Sequence, residues 1–570
     1  MKRVSSSNGS WKIGPEGPEP CRPVTTPPDP GTGNGRRARA AFWVGAGIFL
    51  SRVAGFLRDA VLAFYFGNSR EADVWGAAIR TPNIIQNLLG EGTLSASFIP
   101  VYAGFLEEGR EEDAGRFAGA ALGLLLVTAF GVAIIGILLA PLYIGVIFRS
   151  WDAEKQALTV SLVKIIFPMT AVMVVSAWAL GILNSHRKFF VSYVAPVAWN
   201  VSMIAALFTF GTLLGWEAAG RDPDLVTVMA WGALVGGVLQ LAVQLPWVIP
   251  VLKHFRLSVS RRVTGVQEAI RNLAPVVAAR GVVNLSSLMD LWLAGFLVEG
   301  AVAMMGRAQT LYFLPISLFG MAIAASELPE LSRNRAAVGE VMVPRVRGAL
   351  DRLAFLLIPS ALAYIFLGDV LVAALFQRGD FGAVDTAAVH VVLAAYALGL
   401  PASASSRALS SAFYAIRDTR TPALIATGRV TLSMAIGASL MFPLDRIGVG
   451  ELRYGVAGLA LGSAVGAWLE FILLRRALGR HLNSHGPGVR RVARMMAAGG
   501  GALAVGLLTR SFLGFSARDG VLPDLLGESS IFLNPLAAAG TVGAFGVAYL
   551  GLAAALGVGI PLRRGKAPRG

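Results

Sequence analysis

The chain has 570 residues, of which 55% are hydrophobic and only 15% charged, with a mean hydropathy of +0.63, a composition that excludes an ordinary soluble domain and makes lipid the solvent. The formal net charge of +16 does not point to nucleic acid, because most basic residues fall in short connections between apolar runs, where they set membrane orientation. One cysteine, Cys21, and five scattered histidines leave neither a disulfide framework nor a cysteine- or histidine-built metal site.

Residues 1–39 are rich in Pro, Gly and Ser and read as a disordered cytoplasmic tail. They are not a signal peptide, since the apolar segment behind them runs on to Phe66 without a small-residue cleavage site. Apolar runs then recur at the length an α-helix needs to cross the hydrocarbon core. Spans are expected at 40–66, 73–104, 116–148, 158–184, 191–215 and 226–252, making a first lobe over residues 40–262. A second lobe, residues 263–480, carries spans at 269–298, 301–328, 349–376, 387–414, 422–442 and 454–478. A final pair at 495–512 and 532–559 and a cytoplasmic tail fill residues 481–570. The fold class is therefore all-α integral membrane, with about fourteen transmembrane helices.

Basic charge collects in alternate loops: His186-Arg187-Lys188, then 253–262, 333–347, 417–420 and 475–491, and the tail Arg563-Arg564-Gly565-Lys566. Both termini are expected in the cytoplasm, the acidic loop 107–113 weighing little in this rule. The two lobes read as copies offset by about 230 residues, in the same orientation, as in parallel-repeat transporters with a site between lobes near the midplane. Ser95–Pro100 falls against Ala324–Pro329, and Asn184–Arg187 with Pro196 falls near Tyr414–Arg417 with Pro422.

The first span places Arg52 near mid-bilayer and Arg58 about 9 Å further along the axis. Each arginine costs at least ~2.5–3.5 kcal/mol at that depth unless it faces water, protein or an anion. The two diverge by about 120°, so together they border a wide cavity rather than one narrow groove. Ser51 shares the stripe of Arg58, whereas Gly55 and Asp59 share that of Arg52. Ion pairs of Arg58 with Asp73, or of Asp59 with Arg80, are the structural alternative, though basic residues outnumber acids here. The second span contains Asp73, Arg80-Thr81-Pro82-Asn83, Gln86-Asn87 and Gly90-Glu91-Gly92. Such a sequence predicts a bent or discontinuous helix lining a hydrated cavity, with a packed, proline-kinked helix as the alternative.

The run SRVAGFLRDAVLAFYFGNSREADVWGAAIRTPNIIQNLLGEGTLSASFIPVY, Ser51 to Tyr102, resembles the MurJ (MviN) lipid II flippases of the multidrug/oligosaccharidyl-lipid/polysaccharide exporter superfamily. FYAIRDTRTP, Phe413 to Pro422, resembles a second signature of that family. The resemblance implies transport of lipid II, the undecaprenyl-pyrophosphate-linked peptidoglycan precursor, from the inner to the outer leaflet of the bacterial cytoplasmic membrane. Two six-helix lobes would alternate access around a cationic cavity, while the last two helices hold the lipid tail. It further implies functional positions at Ser51, Arg52, Arg58, Asp73 and Asn83, a characteristic turn at Glu91-Gly92, and Arg407 where a lysine is common.

Two departures stand out. Gln86 and Thr310 occupy positions where relatives carry cavity arginines, and Phe313 stands for a glutamate. The missing second-lobe charge is expected from Arg280, which matches Arg52 at the repeat offset, together with Arg307; Arg80 joins them as a substrate-binding candidate. Some relatives hold sodium in the second lobe. Here Asp290 is the candidate ligand, but the eleventh span offers Arg429 and no Asn or Asp, and a single carboxylate makes a poor hard-cation cage. No cofactor is expected, with sodium or the membrane potential as energy source. The expected partners are lipid II and membrane lipids, for a monomer associated with the cell-wall synthesis machinery, with a structural scaffold of that machinery as a further alternative. Rival readings are an exporter of another polyprenyl-linked oligosaccharide or of organic cations, which would want cavity carboxylates, and an integral membrane glycosyltransferase, which would want a sizeable extramembrane loop or acidic metal motif. No nucleotide-binding signature marks an ATP-driven pump, and the chain is expected not to be an enzyme.

Overall fold

Backbone groups in lipid must be satisfied within their own segment, and the computed structural model answers with helices. It describes residues 30–320, 342–416, 418–449, 452–480, 486, 488–515, 521–526 and 532–559. Among these, the only ladder is the two-residue antiparallel pair Gly448–Val449 with Leu452–Arg453. The first group of helices comprises α1 (Pro30–Phe66), α2 (Arg70–Leu89), α3 (Glu91–Glu107), α4 (Glu111–Ile147), α5 (Ala153–Ser185), α6 (Phe189–Leu207) and α7 (Asp222–Val248). The second comprises α8 (Val266–Ala294), α9 (Ala301–Pro315), α10 (Val343–Phe366), α11 (Gly368–Phe376), α12 (Ala383–Ala397), α13 (Leu400–Ala415), α14 (Arg420–Asp445) and α15 (Gly455–Leu478). The last are α16 (Val489–Leu513), the short α17 (Val521–Leu526) and α18 (Leu533–Ala555).

Nine described helices are long and apolar enough to cross a membrane, ten if α12 and α13, bent by 43°, count as one span. Fourteen is not reached by that measure. The expected spans that fall short are α1, α2–α3, α8 and α9, and their sequences give the reason. α1 carries Arg52, Arg58 and Asp59, α2 carries Asp73 and Arg80, α8 carries Arg271, Arg280 and Asp290, and α9 has 15 residues. The membrane-crossing elements that handle charge are thus the least lipid-like, as expected where helices line a polar interior.

α1 begins at Pro30, inside the stretch read from sequence as tail; once an apolar helix is anchored by packing, extending it backward costs little. The remainder of that tail, the segment 321–341 with the repeat stretch Ala324–Pro329, Arg417, and the terminal residues from 560 lie outside the described residues.

The packing order repeats between the two sets. α2 lies on α5, α4 on α5, α5 on α7 and α6 on α7; correspondingly α9 lies on α12, α10 on α13, α13 on α15 and α14 on α15. α16 and α18 pair with each other and dock on α10 and α11. The departure is α8. By the repeat it should lean on α14 as α1 leans on α6, yet it lies mainly against α3 and α2 of the first lobe. The second span is discontinuous, as its sequence predicts. Pro82 is absorbed inside α2, and the break falls at Gly90, where a Cβ would stand 2.2 Å from the Gln86 carbonyl oxygen.

Candidate functional site

Between the lobes lies a cavity of about 580 Å3. The first lobe contributes Ser51, Gly55, Arg58 and Asp59 from α1, Arg80, Asn83, Gln86 and Asn87 from α2, and Trp199 and Asn200 from α6. The second lobe contributes Arg307, Gln309 and Thr310 from α9. Three arginines therefore face one aspartate across a space walled by both lobes. In a low-dielectric setting such an excess of guanidinium favours an anion.

The three cations are held differently. Arg58 reaches Asp59 Oδ1 through Nε at 3.0 Å and Nη2 at 2.7 Å, donates to Asn200 Oδ1 at 3.1 Å, and lies 5.1 Å from the Trp199 ring centre. Its acid is thus its chain neighbour rather than Asp73, and Asp59 is taken by Arg58 rather than Arg80. Arg80 makes one long bond, 3.4 Å to Gln309 Oε1, and Gln309 in turn donates to the Tyr396 hydroxyl at 3.1 Å. Arg307 is 5% exposed, donates Nη1 to Asn68 Oδ1 and sits 5.1 Å from the Phe381 ring centre. Its Nε and Nη2 have no hydrogen-bond partner among the described residues. Buried donors are rarely left unmet, so Arg307, a residue of the lining, keeps two N–H groups that a rearrangement of the seam could turn to a ligand.

Of the residues singled out by sequence, Ser51, Arg58, Arg80, Asn83, Gln86, Arg307 and Thr310 come together on this cavity. The other candidates whose side chains are described do not line it. Arg52 is exposed and its Nη1 reaches across to Ser317 Oγ at 3.4 Å. Arg280 donates Nη1 to the Asn87 carbonyl at 3.1 Å, and its guanidinium presses on Gly92 so closely that a Cβ there would lie 1.8 Å from Nη2. Arg280, the candidate for the missing second-lobe charge, closes the last turn of α2 beside the break, on the carbonyl of the lining residue Asn87. Arg407 is exposed on α13, with Tyr312, Arg429 and Glu470 as its charged or polar neighbours. The side chain of Glu91 lies outside the described residues.

Asp73 is not part of the lining but adjoins it, its neighbour Ala72 and its partner Ala303 both bordering the cavity at the place where the lobes touch. It is 1% exposed, pairs with Lys155 Nζ at 2.9 Å, and accepts from the backbone N–H of Gly300 at 2.8 Å and of Ala303 at 3.0 Å. A carboxylate of the first lobe thereby caps the first turn of α9 in the second, where orphan N–H groups and the helix dipole favour negative charge. The approach depends on Gly300, whose φ is +83° and where a Cβ would stand 2.2 Å from the Asn68 carbonyl oxygen. The same end is held by Asp380 N–H donating to the Phe64 carbonyl at 2.9 Å and by Ser150 Oγ donating to the Gly295 carbonyl at 2.5 Å.

This seam also carries carboxyls in its connections. Burial pushes Glu217 above its ordinary 4.5, with Asp380 and Asp222 adding repulsion, and burial likewise pushes Asp380 above 3.8, with Asp385 adding. A carboxyl raised in the closed seam binds more protons there than when the seam parts. Closure is therefore favoured by acid, and that contribution is lost as pH rises through the raised range. Spin labels placed on either side of Phe64 and Asp380 should report a more closed distribution at about pH 5 than at about pH 8; the opposite trend would contradict the assignment.

Asp290, the sodium candidate, lies among cations. The charges around this carboxylate are the guanidiniums of Arg80 and Arg429, and Arg429 also pairs with Glu470 at 2.8 Å. Among the described residues no three His, Cys, Asp or Glu side chains converge on a metal position. Several cavity residues escaped the sequence reading: Trp199, Asn200, Gln240, Ser176 and Gln309. Gln240 donates to Ser176 Oγ at 3.0 Å and Ser176 to Gln244 Oε1 at 2.9 Å. The signal was the polar pair Gln240 and Gln244, one helical turn apart in an otherwise apolar span.

Comparison with known proteins places these features in company. The family pattern described as "Lipid II flippase MurJ" matches residues 62–505. A "Probable lipid II flippase MurJ" of Rhizobium tropici is 32% identical over 465 residues, covering 80% of this chain and 83% of that protein. Its namesake from Bdellovibrio bacteriovorus is 31% identical over 531 residues, covering 91% and 94%. A solved structure titled "Lipid II flippase MurJ, inward closed conformation" superposes with a TM-score of 0.70 at 21% identity, covering 90% of this chain and 98% of the other.

Proposed function

The chain belongs to the MurJ lipid II flippase family, and we infer from that membership that it carries lipid II across the membrane for peptidoglycan synthesis. The observation that supports this substrate is the cavity between the lobes, lined by Arg58, Arg80 and Arg307 against the single carboxylate of Asp59. A pyrophosphate offers several acceptor oxygens, and charge-assisted bonds from guanidinium are the strong ones. Arg307, with two idle donors, is the residue best prepared for it. An organic cation would meet net repulsion in the same space.

The mechanism we propose is alternating access in the bacterial cytoplasmic membrane, with both termini in the cytoplasm. In that orientation the Asp73 seam is the outer gate, closed here, and the cavity serves substrate arriving from the inner leaflet. Arg58, Arg80 and Arg307 would gather the pyrophosphate after the contacts of Arg52 with Ser317 and of Arg280 with Asn87, both made here, have parted to admit it; the lobes would then rock, those contacts re-forming while the Asp73 contacts to α9 part. No bond to the substrate is made or broken, so the reading requires no catalytic residue. The lipid II molecule is the only partner the mechanism needs, and a monomer suffices.

The energy source in this reading is not sodium, since Asp290 already has Arg80 and Arg429 for counter-charges. The membrane potential is the source we propose, each charge moved through it being worth ~2.3 kcal/mol per 100 mV. Transport by the protein reconstituted in vesicles should run equally in sodium and potassium buffers and slow when the potential is collapsed. A strict sodium requirement would overturn this part. Substrate choice is tested in the same vesicles: lipid II should cross, whereas an organic cation should not, and the reverse selectivity would refute the assignment.

A further inference from the structure

A second cavity, of about 300 Å3, shares none of its lining with the first. Its walls are Leu94 and Phe98 of α3, Phe117 and Leu124 of α4, and Ile270 and Leu273 of α8. Three polar side chains also border it, and two of them are committed to their own helices. Ser97 Oγ donates to the Thr93 carbonyl at 2.9 Å, and Thr128 Oγ1 donates to the Leu124 carbonyl at 2.7 Å. The third, Arg261, is exposed in the connection that leads into α8, and makes no side-chain hydrogen bond or ion pair among the described residues. The rim faces outward, with Thr128 exposed, Ile270 42% exposed and Val127 beside it 63% exposed.

An apolar slot that opens sideways into lipid and carries one uncommitted cation at its border matches an amphiphile with an aliphatic chain and an anionic head. We propose that this cavity binds an acyl chain of an anionic phospholipid, with the phosphate on Arg261. The substrate's own tail is the less suitable occupant, because its pyrophosphate is drawn to the arginines of the other cavity. The slot lies where α8, the first helix of the second lobe, rests on α3 and α4 of the first. A chain seated there packs against both sides of that junction and favours the arrangement in which α8 stays docked. The site goes beyond the transport function and adds a lipid that biases the lobes without being transported.

Native mass spectrometry of the full-length protein tests it, using phosphatidylglycerol and the zwitterionic phosphatidylethanolamine as probes. Retention should favour phosphatidylglycerol by about fivefold, the equivalent of ~1 kcal/mol for one basic residue at a membrane surface. Arg261→Glu should abolish the preference, and Ala121→Trp, which fills the slot, should remove the retained lipid. Arg261 is exposed, so Arg261→Glu decides the matter even where the tryptophan variant does not fold. Equal retention of the two probes, an Arg261→Glu variant that keeps the preference, or displacement of phosphatidylglycerol by undecaprenyl phosphate would each overturn the proposal. None of these readings depends on whether lipid II is the substrate.

Discussion

Asp73→Ala is expected to lower transport by at least about two orders of magnitude, through two separable losses. The first is local to one lobe. Lys155 is left buried and unpaired on α5, beside Trp151 at 4.2 Å, and breaking a buried pair from one side costs about 3–5 kcal/mol. The second crosses between lobes, because the N–H groups of Gly300 and Ala303 lose their acceptor; bonds to a charged group contribute about 1.5–3 kcal/mol each. The double variant Asp73→Leu with Lys155→Met removes both charges together and should recover thermal stability. It should still fail to close the seam, as read by label distances across Phe64 and Asp380. Recovery of transport along with stability would show that Asp73 acts only as a partner for Lys155.

Arg307→Ala should weaken lipid II binding about 10–100-fold, the equivalent of losing one or two charge-assisted bonds to phosphate. Arg307→Lys should fall between, because an ammonium keeps the charge but not the planar fork. A purified protein assayed by lipid II titration separates this from folding, with the melting temperature of each variant as the control. Unchanged affinity in a folded Arg307→Ala variant would remove Arg307 from the binding site and reduce it to a seam residue holding Asn68. Arg280→Ala, by contrast, should leave affinity near that of the parent, since its guanidinium is engaged with the Asn87 carbonyl.

The fold was legible because lipid leaves few options. Apolar run length gives the helices, and the density of Gly, Pro and charge at 80–92 marks a span that must break, as it does at Gly90, whereas the breaks between α10 and α11 and between α12 and α13 were not foreseen. Of the site, the arginines of α1 and α2 could be read from the cost of burying them. Where each points could not: Arg52 and Arg58 sit on one helix, yet Arg58 lines the cavity while Arg52 reaches Ser317, far away in sequence. Asp73 shows the same limit more sharply. Its partners are Lys155, Gly300 and Ala303, pairings that only tertiary packing brings together. The repeat, which is strong enough in sequence to predict matching lobes, misplaces α8, because that helix exchanges its own lobe's packing for a seat on α3. Neutral groups such as Asn200 and Gln309 carry no penalty large enough to stand out in an apolar span, so they were invisible until the cavity assembled them.

The central claim is that this protein moves lipid II outward, and the leaflet that lipid II occupies measures it directly. In a host depleted of the protein and lacking a second flippase, lipid II should accumulate in the inner leaflet, out of reach of a reagent that attacks it from outside. Re-expression of the parent chain should restore outer-leaflet lipid II, whereas re-expression of the Arg307→Ala variant should restore it weakly. Outer-leaflet lipid II that persists unchanged through depletion would contradict the account.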